Sequence, residues 1–98
     1  MKREDFIFTI GYQGNTAIVD GRAGNAYGKL SFRELAGKGL FKAAFCSVLY
    51  SGDAAELEEF LSIFGRAVPD RIYGRDDLAR LFGVYGVPEG ISRTKIID

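Results

Sequence analysis

Between Leu40 and Phe64 the chain carries two apolar stripes at helical spacing, and any fold it adopts has to bury them. In the first, large apolar residues fall at 40, 41, 45, 48 and 49 with Ala44 filling the gap, a pattern that closes on one face only at 3.6 residues per turn. The opposite face offers Lys42, Ala43, Ser47 and Ser51, so little of the circumference asks for water. Removing Leu40, Phe41, Phe45, Val48 and Leu49 from water contributes roughly 8 to 15 kcal/mol of gross transfer free energy, most of it offset by chain entropy. Gly52 reads as the stop of this helix. Asp53 with Glu56 then reads as an acidic capping box, and Leu57, Phe60, Leu61 and Phe64 form a second stripe that Gly65 is expected to end.

Ahead of this helical part, Phe6, Phe8, Ile10 and Tyr12 alternate with Ile7, Thr9, Gly11 and Gln13, a period of two that predicts a strand. Gly14-Asn15 supplies a two-residue type II′ turn. Pairing Gln13 with Thr16 sets Tyr12 against Ala17, Ile10 against Val19 and Phe8 against Gly21. The same dipeptide recurs as Gly24-Asn25. A second hairpin there pairs Asp20 with Lys29 as a cross-strand ion pair and Val19 with Leu30 on the core face. Residues 6 to 30 are thus expected to form a three-stranded antiparallel β-meander.

Ser31-Phe32-Arg33-Glu34 is a capping box for a short helix that Gly37-Lys38-Gly39 ends. Asp76 is expected to cap a further helix with Leu78, Leu81, Phe82 and Tyr85 as its stripe, stopped at Gly83 or Gly86. Residues 91 to 98 read as a tail or an edge strand. The expected fold class is α+β: one domain over 1-98, with the meander at 6-30 packed on a layer of three to four helices within 31-86.

Ninety-eight residues suffice for one core without disulfide or metal, and thirteen basic residues cancel thirteen acidic ones. The single Cys46 cannot close an intrachain disulfide and lies on an apolar helix that disfavours its thiolate. Lys2 and Arg3 are followed by Glu4, Asp5 and a short apolar run, which is no signal peptide, and no stretch approaches a membrane span. The expected location is cytoplasmic, with no membrane partner.

Histidine is absent, which removes Ser-His and Cys-His nucleophile pairs and histidine-bound zinc. Gly24 to Ser31 fails as a phosphate loop, because its glycines are too close together and Leu30 stands where a hydroxyl would bind magnesium. Residues 31 to 51 outline a helix-turn-helix, but its second helix shows a groove only Lys42 and small residues. Asp76-Asp77 diverge around a helix start and read as capping acids. No cofactor, metal or catalytic group is expected.

Two surfaces remain. Ile7 and Ile18 fall on the outer face of the expected sheet and Ile63 lies off its helix stripe; an apolar outer face asks for cover by this chain, a partner protein or a second copy. Residues 21 to 42 carry five basic residues against Glu34, so Arg22, Lys29, Arg33 and Lys38, with Tyr27 for stacking, form an alternative anion- or nucleic-acid-binding set. The leading expectation is a small non-catalytic interaction or regulatory module, with a homodimer as one form; the alternative is an anion or nucleic-acid binder.

Overall fold

A computed structural model describes every residue from Met1 to Asp98. In chain order the elements are α1 (Arg3–Ile7), β1 (Thr9–Gln13), β2 (Thr16–Asp20), α2 (Gly21–Tyr27), α3 (Phe32–Gly37), α4 (Phe41–Ser51), α5 (Ala54–Ala67), α6 (Arg75–Phe82) and β3 (Arg93–Ile97). The fold is α+β, six helices with one three-stranded sheet of order β1-β2-β3.

The helical part follows the spacing of its residues. Ser31 accepts the Glu34 N–H while the Glu34 carboxylate accepts the Ser31 N–H, a complete capping box at the head of α3. α4 buries Ala44, Phe45, Cys46, Ser47 and Val48 and stops at Gly52, whose φ of 68° is the left-handed conformation that favours glycine. Asp53 caps α5 by accepting from Ala55 and Glu56, although the Glu56 carboxylate turns back to the Ser51 hydroxyl and leaves the expected box half made. α5 runs through Gly65 to Ala67: Gly65 stays helical because Phe60 and Phe64 are anchored in the core on either side of the second stripe's last turn. Phe64 is the hub of that core, with ring centroids 5.3 Å from Phe41, 4.9 Å from Tyr73 and 5.9 Å from Phe82. Asp76 is not the cap of α6. Gly74 holds that place, and Asp77 reaches back to accept its N–H at 2.8 Å. On this helix Leu78 is buried, whereas Leu81 and the following Tyr85 are exposed.

The expected antiparallel meander is corrected to a mixed sheet. β1 and β2 form the first hairpin, with Gln13 opposite Thr16 and Tyr12 opposite Ala17, turned at Gly14 with φ 58°. The second hairpin does not exist. Asp20 does not pair with Lys29; its carboxylate accepts the Ala23 N–H at 3.1 Å and caps α2, so residues 21 to 27 coil. Two glycines at the ends of this helix permit close approach: a Cβ on Gly28 would lie 3.2 Å from Glu4 Cβ, and one on Gly21 would lie 2.7 Å from Ile96. The third strand comes instead from the C-terminal segment. β3 runs parallel to β2, from Thr16 opposite Arg93 to Asp20 opposite Ile97, and its entry is fixed where the Asn15 carbonyl accepts from both Ser92 and Arg93.

The chain before β1 is also helical rather than extended. Glu4 and Asp5 sit in the first turn of α1, where the helix dipole favours them, and Phe6, Ile7 and Phe8 enter the core together. Arg3 fixes this helix by donating to the carbonyls of Gly28 at 3.0 Å and Leu30 at 2.6 Å and to the Ser47 hydroxyl at 2.9 Å. No helix is long and apolar enough to cross a membrane.

Candidate functional surface

The start of β1 departs from simple alternation, and the reason lies in Thr9. Its hydroxyl donates to the Asp5 carbonyl of α1, which holds Thr9 inward and sets it, rather than Ile10, opposite Val19. The register slips between Thr9 and Gly11, so Ile10 is the inserted residue of a β-bulge and stands 61% exposed. The expected pairing of Ile10 with Val19 is thereby corrected.

Ile10 forms the ridge between two neighbouring concavities, and Thr9 and Lys42 are the other residues that border both. The first, of about 250 Å³, lies between β1 and residues 83 to 88, with Phe6 and Cys46 from α1 and α4 also lining it. Tyr12 walls one side, and Tyr85, 69% exposed, walls the other. The second, of about 390 Å³, is lined mainly by apolar side chains, among them Phe8, Ala23, Tyr27, Leu40 and Phe41. Lys42 is exposed on α4 and takes part in no ion pair.

Two titratable groups of the first cleft are shifted by burial. Burial pushes the Cys46 thiol up to about 11, against a smaller pull from Lys42, so the sulfur stays protonated at neutral pH and packs as an apolar group. Burial likewise raises the Tyr12 phenol above its ordinary value. No group of three or more Cys, Asp or Glu side chains converges in a metal-binding arrangement.

The residues singled out in the sequence are dispersed. Ile7 is not on the outer face of the sheet: it lies in α1 with 4% of its surface exposed, because the chain coils there instead of extending. Ile18 is half-buried on the central strand, between Gly11 and Lys95. Ile63 packs against this chain's own core. Of the basic set, Arg33 lies over the Phe32 ring and grips both carboxylate oxygens of Glu59 across α3 and α5. That contact holds the Glu59 carboxyl below its ordinary value. Lys29 and Arg33 border a hollow beside Arg3, Tyr27 opens on the second apolar cleft, and Arg22 and Lys38 border neither.

The sequence placed Ile10 on a strand, Lys42 on a helix and Tyr85 in a helical stripe without bringing them together, and it did not single out Val84. One signal was present: Gly11 inside a strand pattern marks a place where the ladder breaks or another backbone comes close. Set against known proteins, the chain matches no family model, no curated protein and no solved structure.

Proposed function

We propose that this chain is a small non-catalytic protein-interaction module whose contact surface is the pair of clefts flanking Ile10, with a second copy of itself as one eligible partner. A single observation carries the reading. A branched aliphatic side chain is pushed out of register and held in solvent at the junction of two concave surfaces, the first lined in equal part by polar and apolar residues and the second mainly apolar. Bulges re-aim side chains at places where a sheet meets something else, and exposed apolar ground with concave shape is where partners dock. Tyr12 and Tyr85 on the same cleft are the residue type that gives large contact area at low conformational cost.

A photo-crosslinking residue at position 10 or 85, compared with one at Glu58 on the exposed side of α5, tests this in the cells that make the protein. Protein adducts are expected from 10 and 85 and not from 58. Equal adducts at all three positions, or none, would overturn the reading. Light scattering then separates the partners: a mass of twice 10.8 kDa identifies a second copy.

A further inference from the structure

We infer that the cleft beside β1 takes up an extended segment of a partner protein as an added strand, with an aliphatic side chain in the cleft and an acidic side chain two residues away on Lys42. The inference rests on the interaction reading above and names its occupant.

The geometry begins with the free edge. β1 is a terminal strand of the sheet, paired on one side with β2 alone. Gln13 closes the two-residue turn opposite Thr16, so its backbone groups face β2 and those of Tyr12 point away from it. No backbone or side-chain hydrogen bond outside the ladder satisfies the Tyr12 N–H or C=O. No residue of β2 borders the first cleft, whereas Thr9, Ile10, Gly11 and Tyr12 all do, which places the cleft along the unpaired side of β1. An extended peptide there gains main-chain hydrogen bonds from the edge and side-chain contact from the cleft.

Size and charge define the segment. A volume of about 250 Å³ lies below the range of cofactor and drug-sized sites and suits the side chains of a peptide. Lys42 is the one formally charged residue on the cleft, it is exposed, and no carboxylate of this chain pairs with it. α4, which carries Lys42 and Cys46, contributes both to the same cleft, so the aliphatic and acidic side chains of an added strand must share one face and be separated by one residue. An internal acidic side chain is favoured over a terminal carboxylate, since a terminal carboxylate is captured by a nest of backbone N–H groups and the charge on this cleft is the single side chain of Lys42.

The probes are two blocked pentapeptides, acetyl-Thr-Val-Thr-Glu-Thr-amide and the same peptide with lysine in place of glutamate, titrated into labelled protein and followed by NMR at about 50 mM salt. The glutamate peptide is expected to shift Gly11, Tyr12, Val84 and Tyr85, to protect the Tyr12 amide from exchange, and to bind at least fivefold more tightly than its twin. Lys42→Glu is expected to reverse that preference. Absence of shifts for both peptides, shifts confined to other surfaces, an unprotected Tyr12 amide, or a preference indifferent to Lys42→Glu would each overturn strand addition. The interaction reading fails separately: adducts from positions 10 and 85 that persist while both peptides fail leave that reading standing and remove this one.

Discussion

The guanidinium of Arg3 donates to the hydroxyl of Ser47, 44 positions further along, at 2.9 Å. The same side chain holds the carbonyls of Gly28 and Leu30, so one residue joins α1, the segment after α2 and the middle of α4. A planar fork spreads these donors over two nitrogens in fixed directions, whereas an ammonium offers all of its donors from a single point. Arg3→Ala is expected to lower unfolding free energy by about 2 to 4 kcal/mol, because partly buried acceptors lose a charged donor. Arg3→Lys should recover less than half of the loss. Urea unfolding of the three proteins measures both; equal midpoints for wild type and Arg3→Ala would refute the role.

Gly21 is the point where β2, α2 and β3 crowd together. A Cβ there would stand 2.5 Å from the Asp98 carboxylate, 2.7 Å from Ile96 Cγ2 and 3.0 Å from the Ile97 carbonyl. Gly21→Ala is therefore expected to displace β3 while the β1-β2 hairpin persists. Hydrogen exchange should show loss of protection at β3 amides and at the β2 amides facing them. Unchanged exchange at β3 would show that the strand adjusts around the added methyl group.

Cys46 ties stability to alkaline pH. Its folded pKa of about 11 lies above the ordinary 9.0, so the protonated thiol is the form that folding favours. The contribution is complete below pH 9.0 and is lost as pH rises towards about 11. Cys46→Ala is expected to flatten the fall of stability across that window relative to wild type. Native alkylation by iodoacetamide at pH 8 should likewise be at least tenfold slower than in urea. Equal rates would place the thiol in solvent.

Asp77 ties α6 to acid. The Gly74 N–H, the main cause, with Arg71 and Arg80 beside it, holds this carboxyl below its ordinary 3.8. A lowered value contributes stability above the unfolded pKa and loses it as pH falls through the folded one. The first turn of α6 is expected to fray below about pH 3.8, seen as lost protection of the Gly74 amide relative to its intrinsic exchange rate at each pH. Asp77→Ala should fray at neutral pH and lose the acid dependence; an unchanged Gly74 amide in that variant would contradict the capping role.

The helices from α3 to α5 were legible because their signals are local and agree with one another. Ser31 and Glu34 close on each other within one turn, and Phe60 and Phe64 share a stripe whose far side is Glu58 and Glu59. The sheet was less legible because period two describes a chain that has already been chosen as strand. Phe6, Ile7 and Phe8 fit an alternating pattern, yet they bury more apolar surface together as the end of a short helix. Asp20 fits both a cross-strand pair and an N-cap, and the local hydrogen bond to Ala23 prevails over a distant, solvent-screened ion pair. The parallel partner of β2 was beyond reach of pattern, since Arg93 to Ile97 carries no mark that specifies its mate. The surface at Ile10 depends on a single inserted residue, whose cause, the Thr9 bond to Asp5, acts across an element boundary.

The adjacency of β2 and β3 has a consequence for how the molecule is made. Asp20 and Ile97 become neighbours only after everything between them has been synthesised, and closing so long a loop is entropically costly. During translation the hairpin and the α3-to-α5 cluster can assemble, while the inner strand keeps one side bare. Nascent chains are therefore exposed to mispairing along that strand until residues 93 to 97 have been made and have paired with it.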